Sequence, residues 1–535
     1  YTMVEHEKHT QDEDVEASLP NSKASNHVTL ATGNPVPYSI FSPLQKGLIV
    51  ATVAVAATFS GFAGNIYFPA IPSIAKDLGV TAEKVNLTVT SYMIFQGLSP
   101  SIWGALADVR GRRITYIGTF LVFIGACIGL AETKEYYQLL ILRCLQSAGS
   151  ASTIAIGAGV IGDITTREER GGYMGMFQAG LLAPSAIGPI LGGIFSQTLG
   201  WRAIFWFLTI YGAVFLSFLI VVLPETNRSM VGNGSRPAKG LSNSLLSHIQ
   251  RRQHPQKPPP YPLDSSNLTP ESQNQNLQRT LSTTSTFKKL PIDILGPLKI
   301  LVTKEVTFAI LFLAIYYTVW QMTISILSTL FARIYGLNDI QIGLTYIGNG
   351  AGSIIGTLTT GKFLDYDYAS FKKGFAANNS TDSAASNSSD GEDFPLEQAR
   401  LRTLYLWSFL QIIAVVIFGW TLQYGIHISV PIIATFVLGW TATSIISVVN
   451  TFLVDIFPKR GASATAALNL LRCLMGAGGT AVVLPVVDKI GVGWTFTVLT
   501  GIMMGSVGLV VLQMRRGMVW RKSRRDSEND ERGDR

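Results

Sequence analysis

Gly104-Ala105-Leu106-Ala107-Asp108-Val109-Arg110-Gly111-Arg112-Arg113 lies at the junction of two apolar runs, roughly 85–107 and 114–131. Each run is near the ~20 residues that a helix needs to cross ~30 Å of hydrocarbon. The junction is therefore a very tight hairpin at one membrane face, with one acid, three arginines and a turn glycine. Gly104 would let a neighbouring helix approach closely. Asp108 is placed to meet a helix N-terminus or an arginine. Gly111 suits a turn that needs unusual backbone angles, and the arginines mark the cytoplasmic side.

Composition points the same way. Of the 535 residues, 47% are hydrophobic and only 14% charged, where a soluble chain averages ~25% charged. The net charge of +8 is spread over helix ends and loops rather than gathered in a patch. It reads as membrane topology and not as a nucleic-acid surface. Cys127, Cys144 and Cys473 all fall inside apolar runs with no metal or disulfide spacing, so they read as small packing residues, and no cofactor or metal is expected.

Further apolar runs give a twelve-span count: about 47–70, 85–107, 114–131, 137–161, 171–198 and 201–223, then 304–333, 340–364, 401–423, 428–454, 461–487 and 492–514. The expected class is an all-α membrane protein with twelve transmembrane helices in two six-helix halves. The limits are a disordered tail 1–42 (without a cleaved signal peptide), a first half 43–224, a Ser/Asn/Pro-rich linker 225–300, a second half 301–514 with a long loop 365–400, and a basic tail 515–535. Basic residues fall mainly on one side in this count, which puts both termini in the cytoplasm. Asn378, Asn379 and Asn387 lie in glycosylation sequons on that same side and are expected to stay unmodified.

Several motifs carry a closer resemblance. Gly104 to Arg113 resembles the signature between helices 2 and 3 of the major facilitator superfamily, and Gly361-Lys362-Phe363-Leu364-Asp365 is its decayed echo in the second half. Leu142-Arg143-Cys144-Leu145-Gln146-Ser147-Ala148-Gly149 resembles the helix 4 signature, with its glycine displaced to Gly149. Gly188-Pro189-Ile190-Leu191-Gly192-Gly193 resembles the G-P-x-x-G-G pattern of the antiporter branches, which implies export; the plain alternative is a kinked packing helix. Asn65 to Ala70, Ile156 to Ile164, Tyr317 to Trp320 and Asn469 to Leu474 are similar to the fungal twelve-span drug/proton antiporters, and most of all to fungal citrate exporters.

Chemistry is expected in the polar residues deep in the spans: Arg143 and Gln146 in span four, Tyr317, Trp320 and Gln321 in span seven, Asn349 in span eight, Asn450 in span ten, and Asn469 and Arg472 in span eleven. An ionised group at that depth costs several kcal/mol unless it meets a cavity or partner. Asp163, Asp365 and Asp455 all sit at helix ends, so two deep arginines without deep acids favour an anionic substrate held in bidentate fashion. The structural alternative is that each arginine is satisfied by a carbonyl or helix end. The leading expectation is an exporter of a small organic anion, a citrate-like di- or tricarboxylate, with protons as coupling ion, in the plasma membrane. The rivals are a broad-specificity drug/proton antiporter and a non-transporting membrane sensor. No nucleophile–base arrangement suggests an enzyme.

Overall fold

The computed structural model describes residues 38–166, 169–234, 236, 296–379, 395–457 and 461–533. Among these residues the regular structure is helical and contains no strand. The first half holds α1 (Pro43–Asn65), α2 (Ala82–Arg110), α3 (Arg112–Ala131), α4 (Tyr136–Ser150, continuing as Ser152–Ile164), α5 (Arg170–Thr198) and α6 (Arg202–Val222). The second holds α7 (Lys304–Tyr335), α8 (Asp339–Asn379), α9 (Leu404–Gln423), α10 (Ser429–Ile456), α11 (Gly461–Ile490) and α12 (Val492–Gly533).

Ten of the described helices are long and apolar enough to cross a membrane; α2 and α8 complete the twelve. Those two are more polar, with Asn86, Thr88, Gln96 and Ser99 on α2 and Thr345, Asn349 and Ser353 on α8. Their polarity has a structural cause. Each packs against the opposite half, α2 on α11 and α8 on α5, and its polar side chains bond within the protein: Asn86 and Thr90 with Thr480 on α11, Ser99 with Ser152 on α4, and Asn349 with Trp320 on α7.

Both crossings depend on small residues. A methyl on Gly343 would strike Pro189 O at 2.5 Å, and one on Gly350 would strike Ala186 Cα at 2.5 Å. Gly193 lies against Asp339 O, while Gly192 lies against Ile66 O within the first half. At the far end Ser196 and Ser73 each donate to Asp339 Oδ2 at 2.5 Å, and Ile340 N donates to Gln197 Oε1 at 3.1 Å. On the other crossing Asn86 Nδ2 donates to Thr480 O at 2.5 Å, and a methyl on Gly97 would lie 3.1 Å from Cys473 Cβ. These approaches cluster in the middle and at the membrane face remote from the Gly111 turn. Toward the turn, a methyl on Gly104, Gly171, Gly175 or Gly361 would meet nothing within 4 Å. The expectation that Gly104 admits a neighbouring helix is thus corrected; the close contacts of α2 lie higher, at Gly97.

Helix limits differ from the hydropathy reading where polar residues continue a helix or prolines stop one. α1 starts on a capping box, Ser42 with Gln45, and ends at Asn65 rather than near 70. Phe68–Ala70 is a single tight turn before Ile71–Asp77, because Pro69 and Pro72 lack the N–H that would continue α1. α8 runs on to Asn379 through residues expected in the loop 365–400, and α12 runs on to Gly533 past the expected end at 514. Hydropathy ends a span where the bilayer ends, but nothing there requires the backbone to stop coiling. Of the expected tails, linker and loop, residues 1–37, 235, 237–295, 380–394 (with Asn387) and 534–535 lie outside the described set.

Candidate functional site

The hairpin is as tight as its sequence implies. α2 ends at Arg110, α3 starts at Arg112, and Gly111 alone turns the chain with φ +101°, a conformation side chains disfavour. A methyl there would also meet Glu225 Oε2 at 2.5 Å. Arg112 ties three helices: its Nη1 lies 2.7 Å from Asp108 Oδ1 on α2, and its Nε donates to Asp163 Oδ2 on α4 at 3.1 Å. Its guanidinium lies across Gly159, where a methyl would be 2.9 Å from Cζ. Arg113 donates to Leu223 O at 2.5 Å and Ile220 O at 2.6 Å, closing the C-terminus of α6. Arg110 is exposed.

Two members of this cluster escape the sequence reading. Glu225, assigned there to the linker, is buried at 4% exposure. It accepts from the backbone N–H of Arg112, Arg113, Thr226 and Asn227 at 2.8–3.2 Å. A carboxylate at the bare N–H groups of α3 is the arrangement a helix N-terminus favours. Asn227 donates to Ala107 O and Asp108 O at 3.1 and 2.9 Å and closes the end of α2. The signal for both was present: a helix starting on two arginines behind a glycine has free amides with no acid of its own. In the second half Arg402 donates to Asp367, and Arg400 lies 2.8 Å from Asp455 at the end of α10.

Deeper in, the candidate residues separate into groups. Arg143 is 1% exposed and sandwiched between the rings of Tyr67 and Tyr92, each 4.3 Å from Cζ. Its Nη1 donates to Ala63 O at 2.9 Å and Gln146 Oε1 at 2.6 Å, while Nε and Nη2 have no hydrogen-bond partner among the described residues. Gln146 in turn donates to Cys127 Sγ at 3.3 Å. Arg472 differs: it is partly exposed, its Nε and Nη2 donate to Asn469 Oδ1 at 3.1 and 2.8 Å, and the Tyr317 ring lies 4.8 Å from Cζ.

The aromatic and amide residues continue from Arg472. Tyr317 and Trp320 meet edge to face at 5.7 Å, and Trp320 Nε1 donates to Asn349 Oδ1 at 2.9 Å. Gln321 reaches Met93 Sδ on α2 at 3.7 Å, next to the Tyr92 that covers Arg143. The structure therefore brings eight of the nine candidates to one region about α2, α4, α7, α8 and α11. Asn450 stands apart: it accepts from Thr465 Oγ1 at 3.2 Å, two turns and ~10 Å along the axis from Arg472.

Similarity to known proteins agrees with this architecture. The chain is 39% identical to "Citrate exporter 1" of Aspergillus niger over 91% of its own length and 89% of that protein. It is 32% identical to "MFS antiporter QDR2" of Candida albicans, covering 90% of each. The fold resembles the crystal structure of the human organic anion transporter MFSD10 with TM-score 0.55 at 15% identity, over 88% of this chain and all of that one. Residues 53–480 match the family model of the Major Facilitator Superfamily. With its twelve helices and hairpin signature, the chain belongs to the Major Facilitator Superfamily and is a multi-pass membrane transporter, not an enzyme.

Proposed function

We propose that the protein exports a small organic anion, a citrate-like di- or tricarboxylate, in exchange for protons, by rocking of its halves about a midplane site. The observation that carries this reading is the company Arg472 keeps. Its polar neighbours are neutral (Asn469, Tyr317, Cys473), and neither deep arginine forms an ion pair among the described residues. A cation so placed is costly, and a substrate carboxylate satisfies it in two parallel hydrogen bonds. Arg472 makes first contact with the anion, and Tyr317, Trp320, Gln321 and Asn349 form the wall. Arg143 and Gln146 support that wall through Tyr92. The Aspergillus relative, a citrate exporter by name, supports the anion, and the Candida relative, an antiporter by name, supports exchange.

The sequence resemblance to fungal drug/proton antiporters, with an antiporter among the relatives, favours a second reading, a broad-specificity drug/proton antiporter. Cationic drugs call for a deep carboxylate, and Asp163 and Asp455 sit instead at helix ends paired with Arg112 and Arg400. Vesicles holding purified protein decide between the readings: efflux of citrate under a proton gradient supports the first, and efflux of a cationic dye alone supports the second. We place the hairpin face and both termini in the cytoplasm and the protein in the plasma membrane. Asn378, Asn379 and Asn387 should then carry no glycan, and peptide mapping that finds a glycan on any of the three would reverse the orientation.

A further inference from the structure

The acceptor that holds Asn469 exists because of a proline. Pro100 lies inside α2 and has no N–H to give the carbonyl four residues earlier, that of Gln96. Gln96 O instead accepts from Asn469 Nδ2 at 3.2 Å, across the crossing of α2 with α11. The other end of the same amide, Oδ1, takes both Nε and Nη2 of Arg472. That edge of a guanidinium is one that a carboxylate grips with two oxygens. A neutral amide oxygen thus sits where an anionic substrate would bind, and its own nitrogen spans the two halves. Cys473 packs beside it, with Sγ 3.7 Å from Asn469 Oδ1 and 4.0 Å from Gln96 Oε1.

We propose that Asn469 is a displaceable stand-in for the substrate carboxylate: an anion that takes the Nε/Nη2 edge of Arg472 frees the Asn469 amide and loosens the α2–α11 crossing. Site occupancy and the contact between halves are thereby linked, which gives the anion the differential interaction it needs to shift the conformational equilibrium. Asn469 is a positioning residue here, since it acts through Arg472. The inference rests on the anion reading above.

The test is citrate transport by the full-length protein in vesicles, with KM and kcat for wild type, Asn469→Ala and Asn469→Asp. Without the competing amide, Asn469→Ala should lower KM about threefold, and a fixed carboxylate on the fork in Asn469→Asp should raise it about tenfold or more. A merely structural asparagine would move both variants the same way. Pro100→Ala restores an N–H for Gln96 O and should shift KM in the direction of Asn469→Ala. KM raised alike by both Asn469 variants, or unchanged in both, would overturn the stand-in while leaving anion transport intact. Absence of any carboxylate transport by the wild type would remove the anion reading and the stand-in together.

Discussion

Arg143 and Arg472 look alike in the sequence, each a lone guanidinium inside an apolar run, yet their surroundings make them different instruments. Arg143 is sealed between two tyrosine rings, with Nε and Nη2 unused by any hydrogen bond among the described residues. Arg472 is partly exposed, covered by one ring, and held by the neutral amide of Asn469. Stacking between aromatic faces stabilises a desolvated cation by ~2 kcal/mol or more, so Arg143 can be kept charged without an anion. Depth alone does not tell the two arginines apart; the partners each one keeps do.

The largest effect is expected at Arg143. Arg143→Ala empties a buried space between Tyr67 and Tyr92 and leaves Ala63 O and Gln146 without their donor. Large-to-small changes in packed interiors cost ~2–5 kcal/mol. Transport of every solute should fall, together with the melting temperature in detergent. A variant that melts like the wild type and loses citrate alone would make Arg143 a binding residue equal to Arg472.

A reversible block comes next. Gly97→Cys would place its Cβ 3.1 Å from that of the native Cys473, close to the ~3.5–4.5 Å of a disulfide. Oxidant should cross-link α2 to α11 and arrest transport, and reductant should restore it. Full transport by the cross-linked protein would mean that this crossing does not open during the cycle, and the difference drawn between the arginines would lose its link to motion.

A smaller effect is expected at the hairpin. Asp108→Asn removes the exposed partner of Arg112, while Asp163 still holds that guanidinium at 3.1 Å and Glu225 still caps α3. The protein should remain in the membrane with transport reduced, because the charge helps hold one of the alternating states. Equal transport at equal surface expression would exclude Asp108 from the mechanism, and the arginine region would then carry the cycle without help from the hairpin.

The hairpin was legible in the sequence because all its determinants are local: one glycine, an acid four residues before an arginine, and apolar runs on either side. Its completion by Glu225 was legible only as a need, the free amides at the start of α3; which acid meets that need was not, since Arg112 and Arg113 lie more than a hundred positions from Glu225. The deep arginines were legible by depth. Their environments were not, because Tyr67 comes from the turn after α1, and Tyr92 and the Gln96 carbonyl come from α2. Asn450 joined the candidates by residue type, but type says nothing of which end of a helix faces the site. Pro100 also went unread, as the consequence of its missing N–H appears only where α11 crosses α2.

The measurement that bears most directly on the anion site is vesicle transport of citrate and a cationic dye by wild type, Arg472→Lys and Arg472→Ala at matched protein levels. A charge-assisted hydrogen bond contributes on the order of 1.5–3 kcal/mol, so Arg472→Ala should weaken citrate affinity about tenfold or more. Arg472→Lys should recover part of that, since it keeps the charge without the planar fork, and dye transport should not fall in either variant. Citrate transport that survives Arg472→Ala intact would contradict the anion site, and equal loss of both solutes would make Arg472 a structural residue.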